Sequence, residues 1–330
     1  AEEAFNAFLH RLDSVPFQFD GRCIQTTVLA TLVFQGLVDN VLDVMETVEM
    51  SMRESKLKAK RNSKVERVVF EQNQTRSLLD QSRTIRRIDD QKLPTGLTLA
   101  WQPILALNEC NGPLYAEALL RIKDENGKLG SAGFLIEACE RGGHTAFLDN
   151  WVLSHTLDFL AKHAQHLNKL SVLSINVSPG SLNDEIFLQD TLALIRAHQQ
   201  HASKLCLEIT EVGSVINLQA VQNFIEQVRG LGVRIALDDF GSGHSSLGAL
   251  AQFELDELKI DRSFLEGVLD YPSRQKILRA ALELGTALDL DVVVEGVEDE
   301  TIALWLHQFP GLHGQGYYWG RPFSLEHKNR

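Results

Sequence analysis

Oxygen-bearing side chains stand at or near the ends of a series of apolar, strand-like runs. Carboxylate and amide oxygens are the ligands that hard divalent cations such as Mg²⁺ and Mn²⁺ prefer, and the lack of matching His or Cys disfavours zinc. At any single position, a strand that ends in a polar residue as it reaches solvent explains the pattern equally well. Six such strands in succession favour one shared site. The residues are Glu117, Asn176, Glu208 with Glu211, Asp238 with Asp239, Asp261 two positions after Lys259, and Glu295.

The adjacent carboxylates Asp238 and Asp239 are the most informative of these features. Two neighbouring carboxylates can bridge two cations about 3.5–4 Å apart, an arrangement that suits in-line displacement at phosphorus. Lys259 supplies a further positive charge that would offset phosphate. The pattern therefore predicts a metal site for an anionic phosphate ester.

Short apolar runs alternate with longer amphipathic segments after Leu97, which is typical of an α/β architecture. Eight runs indicate a (β/α)8 barrel, whose active site lies at the carboxyl ends of its strands. The first two runs are separated only by 108–113, too few residues for a crossover helix, so we expect that pair to be antiparallel. The predicted strands are Leu97–Ile104, Leu114–Ile122, Leu170–Val177, Leu205–Glu211, Val233–Phe240, Glu257–Phe264, Val292–Val297 and Gln315–Trp319.

Composition and charge exclude several classes of protein. With 44% hydrophobic residues and eight prolines in 330 residues, the chain is neither disordered, collagen-like nor a disulfide scaffold. Its net charge of −12 disfavours general nucleic-acid binding, so a phosphorylated ligand would need cations. Four scattered cysteines predict unpaired thiols and a reducing, cytoplasmic setting. The apolar stretch Val28–Phe34 is far below the roughly 18 residues of a membrane span, so we expect no membrane contact within this chain.

Three regions are predicted along the chain. Residues 1–70 form a small α/β unit with a hairpin at Asp20-Gly21 and a second helix that Asp39 caps. Residues 71–92 form a polar linker helix, and Pro94 with Gly96 marks the boundary. Residues 93–330 form the barrel domain.

Seven ordered motifs resemble those of EAL-domain cyclic di-GMP phosphodiesterases. They are YAEALLR (115–121), NVSP (176–179), EITE (208–211), DDFGSG (238–243), LKID (258–261), EGVE (295–298) and QGY (315–317). The resemblance implies a modified TIM barrel in which one strand near the start is reversed. It also implies hydrolysis of cyclic di-GMP to linear pGpG with a two-metal site of Mg²⁺ or Mn²⁺.

Site residues follow from the resemblance position by position. It implies that one metal is held by Glu117, Asn176, Glu208 and Asp238, and that Asp238 is shared with the second metal, which Asp239 binds. Glu295 is implied to approach the second metal or the attacking water. Glu117, Glu295 and Lys259 are the expected catalytic residues, with Lys259 holding the attacking water. Substrate contacts are expected from Arg121, Gln315, Gln102 and Asp261, and Glu211 is expected to steady the loop after Asp239.

Two departures and two alternatives accompany this resemblance. Ser242 stands where the family usually has Thr, and His244 where Tyr is common, so we expect tuned and not lost activity. A non-catalytic cyclic di-GMP receptor is the alternative function, although the ligand set is complete. A pure dimerisation scaffold is a third hypothesis, which absence of ligand binding in calorimetry would indicate.

Residues 1–70 are similar to the C-terminal half of a GGDEF diguanylate cyclase domain. The helix, hairpin and helix occur in that order, whereas the Gly-Gly-Asp/Glu-Glu-Phe signature is missing from the sequence. We therefore expect a partial, degenerate unit without cyclase activity, belonging to a longer protein in which any membrane anchor lies in N-terminal regions outside this chain. The resemblance also implies a homodimer.

Overall fold

The computed structural model describes residues 92–324, apart from 109–113, 124–126, 165–166, 168, 211–215 and 243–246. Before residue 92 it describes only 17–19, 22–24 and Ile88. The chain divides into two compact units, Ala1–Pro94 and Thr95–Arg330.

A two-stranded hairpin is described in the first unit. Strands β1 (Phe17–Phe19) and β2 (Arg22–Ile24) pair antiparallel with Phe19 opposite Arg22, so two residues connect them. This confirms the predicted hairpin at Asp20-Gly21. The returning strand begins at Arg22, directly after this two-residue connection. The helices predicted for 1–70 lie outside the described residues, as does nearly all of the predicted linker helix.

The second unit alternates strands and helices. Its strands are β3 (Leu97–Ala106), β4 (Leu114–Lys123), β5 (Leu129–Ser131), β6 (Leu170–Val177), β7 (Leu205–Ile209), β8 (Arg234–Phe240), β9 (Glu257–Ile260), β10 (Asp291–Val294) and β11 (Leu312–Gln315). Its α-helices are α1 (Gly133–Gly142), α2 (Thr145–His163), α3 (Pro179–Leu182), α4 (Glu185–Ala197), α5 (Leu218–Gly230), α6 (Leu247–Gln252), α7 (Pro272–Ala287) and α8 (Glu300–Leu306). Two 3₁₀ helices span Gln199–Lys204 and Arg262–Leu265.

Eight of these strands close into a barrel in the order β3-β11-β10-β9-β8-β7-β6-β4, with β4 returning to β3. Strand β3 is antiparallel to both of its neighbours, and the other barrel pairs are parallel. The predicted modified (β/α)8 barrel with an antiparallel strand near its start is therefore confirmed. Strand β5, which the sequence reading missed, pairs antiparallel with the outer part of β4.

The structure corrects several predicted strand boundaries. Strand β7 ends at Ile209 and not at Glu211, and β10 ends at Val294 and not at Val297. Strand β9 ends at Ile260 and not at Phe264, because the Asp261 carboxylate accepts a hydrogen bond from the Ser263 N–H at 3.0 Å and begins a 3₁₀ helix. The last strand spans Leu312–Gln315, whereas Gln315–Trp319 was expected. The aromatic residues after Gln315 follow the strand and do not form it.

The two-residue period of the strands builds layers inside the barrel. Val172, Cys206 and Ala236 form an apolar layer against which Tyr115 packs. Because side chains alternate along a strand, the residues two positions further on also face the interior. Among them are Glu208 and Asp238, near the carboxyl ends of β7 and β8, and Glu117, within β4.

Candidate metal-binding active site

A buried lysine lies at the centre of the site. Lys259 on β9 is 1% exposed, and its Nζ lies close to four carboxylate oxygens from different strands or strand ends. The distances are 2.6 Å to Glu295 Oε1, 2.8 Å to Glu208 Oε2, 3.3 Å to Asp238 Oδ1 and 3.5 Å to Glu117 Oε2. Side chains up to 178 positions apart in the sequence, Glu117 and Glu295, thus surround one ammonium group.

Amide side chains orient Glu117 from two directions. Asn176 Nδ2 donates to Glu117 Oε1 at 2.7 Å, and Gln315 Nε2 donates to Glu117 Oε2 at 2.6 Å. The same Gln315 nitrogen lies 3.5 Å from Gln102 Oε1, while Gln102 Nε2 donates to the Gly320 carbonyl at 3.2 Å. These contacts fix the carboxylate plane of Glu117 at the wall of the barrel.

A second cluster lies where β8 and β10 end. One carboxylate oxygen from each of Asp238, Asp239 and Glu295 lies within 4.8 Å of the other two. Adjacent residues of a strand normally point to opposite faces. Asp239 has a φ of 54°, in the left-handed region, and this local break in the extended backbone accompanies the approach of both aspartates to one point. Uncommon backbone of this kind is concentrated at functional sites.

Burial and crowding among the acids shift their pKa values. Burial raises the pKa of Glu208 well above its ordinary value, and the nearby Glu117 carboxylate adds to this. Burial also raises the pKa of Glu295 to about 8, despite the opposing effect of Lys259. The pKa of Asp239 is raised by burial and by the charge of Asp238. The carboxylates of the site therefore carry more negative charge than Lys259 and the surrounding hydrogen-bond donors offset.

Lys259 and Glu117 remain charged within this cluster. Burial opposes the charge of Lys259, but Asp238 and the other carboxylates raise its pKa well above the ordinary value. Burial likewise opposes ionisation of Glu117, yet Lys259 and the hydrogen bonds from Gln315 and Asn176 bring the pKa of this carboxyl below its usual value. A buried cation among acids is thus the main stabilising charge of the cluster.

The donor set fits hard divalent cations. Glu208 Oε1 and Asp238 Oδ1 are buried without a hydrogen-bond partner among the described residues, although Asp238 Oδ1 makes the ion-pair contact with Lys259. Unpartnered buried oxygens cost free energy, and coordination of a cation would satisfy them. Oxygen donors of this type suit Mg²⁺ or Mn²⁺.

The cluster opens into a cavity of about 340 Å³. Eight of the residues that the sequence singled out line it: Gln102, Glu117, Asp238, Asp239, Lys259, Asp261, Glu295 and Gln315. Arg262, Glu298 and Tyr317 also line it, and sequence reasoning did not assign them a role. Their position within four residues after a strand end was the signal that could have found them.

Other expected site residues are placed differently. Arg121, expected to contact substrate, does not line this cavity, and its Nη1 donates to the Leu120 carbonyl at 2.8 Å. Asn176 is exposed and reaches the cluster through Glu117. Ser242 borders a second cavity together with Asp239. Glu211 and His244 lie outside the described residues.

A closed α/β barrel with an acidic cluster at the carboxyl ends of its strands is the class of protein that this fold and site define. The family described as EAL domain matches residues 69–322. The chain belongs to the EAL domain family.

Two relatives whose names state an activity support this membership. Cyclic di-GMP phosphodiesterase PdeF of Escherichia coli is 30% identical over 250 residues, covering 76% of this chain and 33% of PdeF. Cyclic di-GMP phosphodiesterase PdeA of Borreliella burgdorferi is 31% identical over 232 residues, covering 68% of this chain and 33% of PdeA. The chain thus spans about a third of the length of these relatives.

A solved structure has the same fold. The structure described as "PaMucR Phosphodiesterase, c-di-GMP complex" superposes with a TM-score of 0.64 at 28% identity, covering 75% of this chain and 98% of the other. In the part of our chain that the structure describes, no helix has both the length and the apolar character that crossing a bilayer requires.

Proposed function

We propose that this domain hydrolyses one phosphodiester bond of cyclic di-GMP and releases linear pGpG, with Mg²⁺ or Mn²⁺ as cofactor. The observation that carries the proposal is the convergence of four carboxylates on Lys259, next to the Asp238, Asp239 and Glu295 cluster. Membership of the EAL domain family and relatives named as cyclic di-GMP phosphodiesterases support the choice of substrate.

Two groups of residues would hold the cations. Bound divalent cations supply positive charge that neutralises the phosphodiester and lower the pKa of water. The proposed holders of one cation are Glu117, Asn176, Glu208 and Asp238, and those of the other are Asp238, Asp239 and Glu295. Because the phosphodiester is anionic, the same acids would repel it if no cation were present.

Residues of the chain position the reactants and move the proton. Glu295 lies at the edge of the cavity and, in its ionised form, is proposed to take a proton from the attacking water. Lys259 faces the same cavity and would hold this water and offset charge on the phosphoryl oxygens. As the water oxygen bonds to phosphorus, the bond from phosphorus to O3′ breaks. The departing O3′ takes up a proton from solvent, so the single product carries a 5′-phosphate and a 3′-hydroxyl, as linear pGpG requires.

Substrate contacts are proposed for residues around the cavity. Gln102, Gln315 and Asp261 line it directly. Arg121 does not line it, and is proposed to bind a substrate phosphate through guanidinium N–H groups that the Leu120 carbonyl leaves free. Glu211 is proposed to steady the loop that follows Asp239. These assignments separate cation holders from groups that contact the nucleotide.

The experiment incubates purified protein with cyclic di-GMP and identifies the product by chromatography. Wild type with Mn²⁺ or Mg²⁺ should convert cyclic di-GMP to pGpG, and Glu117→Ala and Asp239→Ala should abolish conversion. Glu254→Ala is the matched control, since this carboxylate is 78% exposed and pairs with Arg229 away from the cavity. Binding of cyclic di-GMP without turnover under either metal would favour the alternative, a receptor domain.

The remaining organisation is also a proposal. We propose a degenerate GGDEF-like unit at 1–70, a linker helix at 71–92 and the EAL domain at 93–330, in a cytoplasmic part of the protein. A homodimer is proposed as the assembly. Light scattering of purified protein would give its molar mass and show whether it is 36.9 kDa or twice that value.

A further inference from the structure

A buried aspartate outside the acidic cluster holds the turn that follows β6. Asp149 on α2 is 7% exposed. Its Oδ2 accepts hydrogen bonds from the Ser178 N–H at 2.8 Å and the Ser181 hydroxyl at 2.6 Å, and its Oδ1 accepts one from the Ser178 hydroxyl at 3.3 Å. One carboxylate therefore makes three hydrogen bonds to a single turn.

The same turn approaches α2 at a second point. A Cβ on Gly180 would lie 2.6 Å from Thr145 Oγ1, so the backbone there packs directly on the first turn of α2. Ser178 is two residues after Asn176, and α3 begins at Pro179. Helix α2 thus fixes both the direction in which the chain leaves β6 and the start of α3.

Asn176 depends on this geometry. Its Nδ2 donates to Glu117 Oε1 at 2.7 Å, so Oδ1 is the atom suited to bind a cation. The strand ends one residue later, at Val177, and beyond that point Asp149 supplies the tether to the neighbouring helix. A change in the turn would alter where Oδ1 points.

We propose that Asp149 is a positioning residue: through Ser178 and Ser181 it holds the turn after β6 so that Asn176 directs its side-chain oxygen toward the cation. This inference rests on the proposed function in one respect, that Asn176 is a cation ligand. Groups that orient metal ligands without touching the metal typically change metal affinity or activity by about 10–100-fold when they are removed.

Mn²⁺ binding to protein stripped with EDTA tests this role without substrate. Calorimetry on Asp149→Ala should show Mn²⁺ affinity reduced about 10-fold or more. Asp149→Asn should stay near wild type, because its oxygen can accept from the Ser178 N–H and the Ser181 hydroxyl while its amide donates to the Ser178 hydroxyl. Ser181→Ala removes one hydrogen bond and should give an intermediate loss.

Thr156→Ala is the matched control. Thr156 lies on the same helix, is fully buried, and its hydroxyl has no hydrogen-bond partner among the described residues. The Mn²⁺ affinity of Thr156→Ala should equal that of wild type, even where the thermal stability of the variant changes. Circular dichroism in EDTA should show that Asp149→Ala is folded, so that its lower Mn²⁺ affinity does not come from a general loss of folded protein.

The outcomes separate the two proposals. Unchanged Mn²⁺ affinity in Asp149→Ala overturns the positioning role, whether or not wild type hydrolyses cyclic di-GMP. If Asp149→Ala does not fold, Ser181→Ala decides, and wild-type affinity in that variant overturns the role. Absence of turnover in a wild type that binds Mn²⁺ counts against the proposed function alone.

Discussion

Replacement of Lys259 by methionine should destabilise the metal-free protein strongly. Lys259 Nζ contacts four carboxylates at 2.6–3.5 Å and is buried with them. Removing one partner of a buried ion pair typically costs about 3–5 kcal/mol, because the other charge loses its compensation. We expect a loss of this size for Lys259→Met. Because the pKa values of Glu208 and Glu295 are raised, both carboxylates can take up protons in the variant. The loss in free energy of unfolding therefore stays below the sum expected for four separate ion pairs.

Urea denaturation in EDTA and in Mn²⁺ measures this effect. A cation at 100 times its dissociation constant stabilises a folded protein by about 2.7 kcal/mol. The gain from Mn²⁺ should be larger in Lys259→Met than in wild type, because the cation replaces the lost positive charge among the same carboxylates. Turnover of cyclic di-GMP should stay low in the variant even with Mn²⁺, since the cation restores charge but not the proposed contact between Lys259 and the attacking water.

Lys204→Met is the matched control for this substitution. The Lys204 ammonium donates to the carbonyls of Leu167 and Leu170 and contacts no carboxylate among the described residues. The loss of stability in Lys204→Met should be smaller than in Lys259→Met and should not depend on Mn²⁺. Equal stability of Lys259→Met and wild type in EDTA would refute the conclusion that Lys259 offsets the buried acids.

Three further perturbations test other parts of the structure. Burial raises the pKa of Glu257, which lies 3.7 Å from Arg234, from 4.5 to about 7, so wild type loses stability as pH rises through that window. The free energy of unfolding of Glu257→Gln relative to wild type should therefore rise by up to about 3 kcal/mol between pH 4 and pH 8 in urea titrations. A difference that does not depend on pH would contradict this. Gly241→Ala should cost about 1–3 kcal/mol in the same assay, because Gly241 has a φ of 93° and a Cβ there would lie 1.9 Å from the Phe264 ring; wild-type stability would refute the close packing. Arg121→Ala should raise the KM for cyclic di-GMP about 10-fold or more while leaving Mn²⁺ affinity unchanged, and an unchanged KM in steady-state kinetics would exclude a phosphate contact.

The barrel was predictable because its signals are local and periodic. Apolar runs separated by amphipathic segments indicate strands and helices, and the short connection at 108–113 allows only an antiparallel pair. The closure of β3 with both β4 and β11 follows from that pair and the eight-strand count. Strand β5 escaped prediction because its three residues carry no alternation of their own and pair only with the outer part of β4.

The site was predictable where strands carry it and less so where loops do. Glu117, Glu208 and Lys259 are fixed by strand register, so their convergence follows once the topology is known. Arg121 lies on the same strand as Glu117, yet four residues further on it is past the cavity, and strand parity alone could not reveal this. Asp149 was not identified at all, because its role depends on how α2 packs against the turn after β6.

The most direct test of metal-dependent hydrolysis follows one sample of protein stripped with EDTA through a titration with Mn²⁺. Chromatography measures pGpG at each step, and calorimetry measures the Mn²⁺ bound per chain. We predict no pGpG before Mn²⁺ is added, and turnover that rises as two Mn²⁺ ions bind. Turnover in EDTA, or saturating Mn²⁺ with bound but uncleaved cyclic di-GMP, would contradict the account.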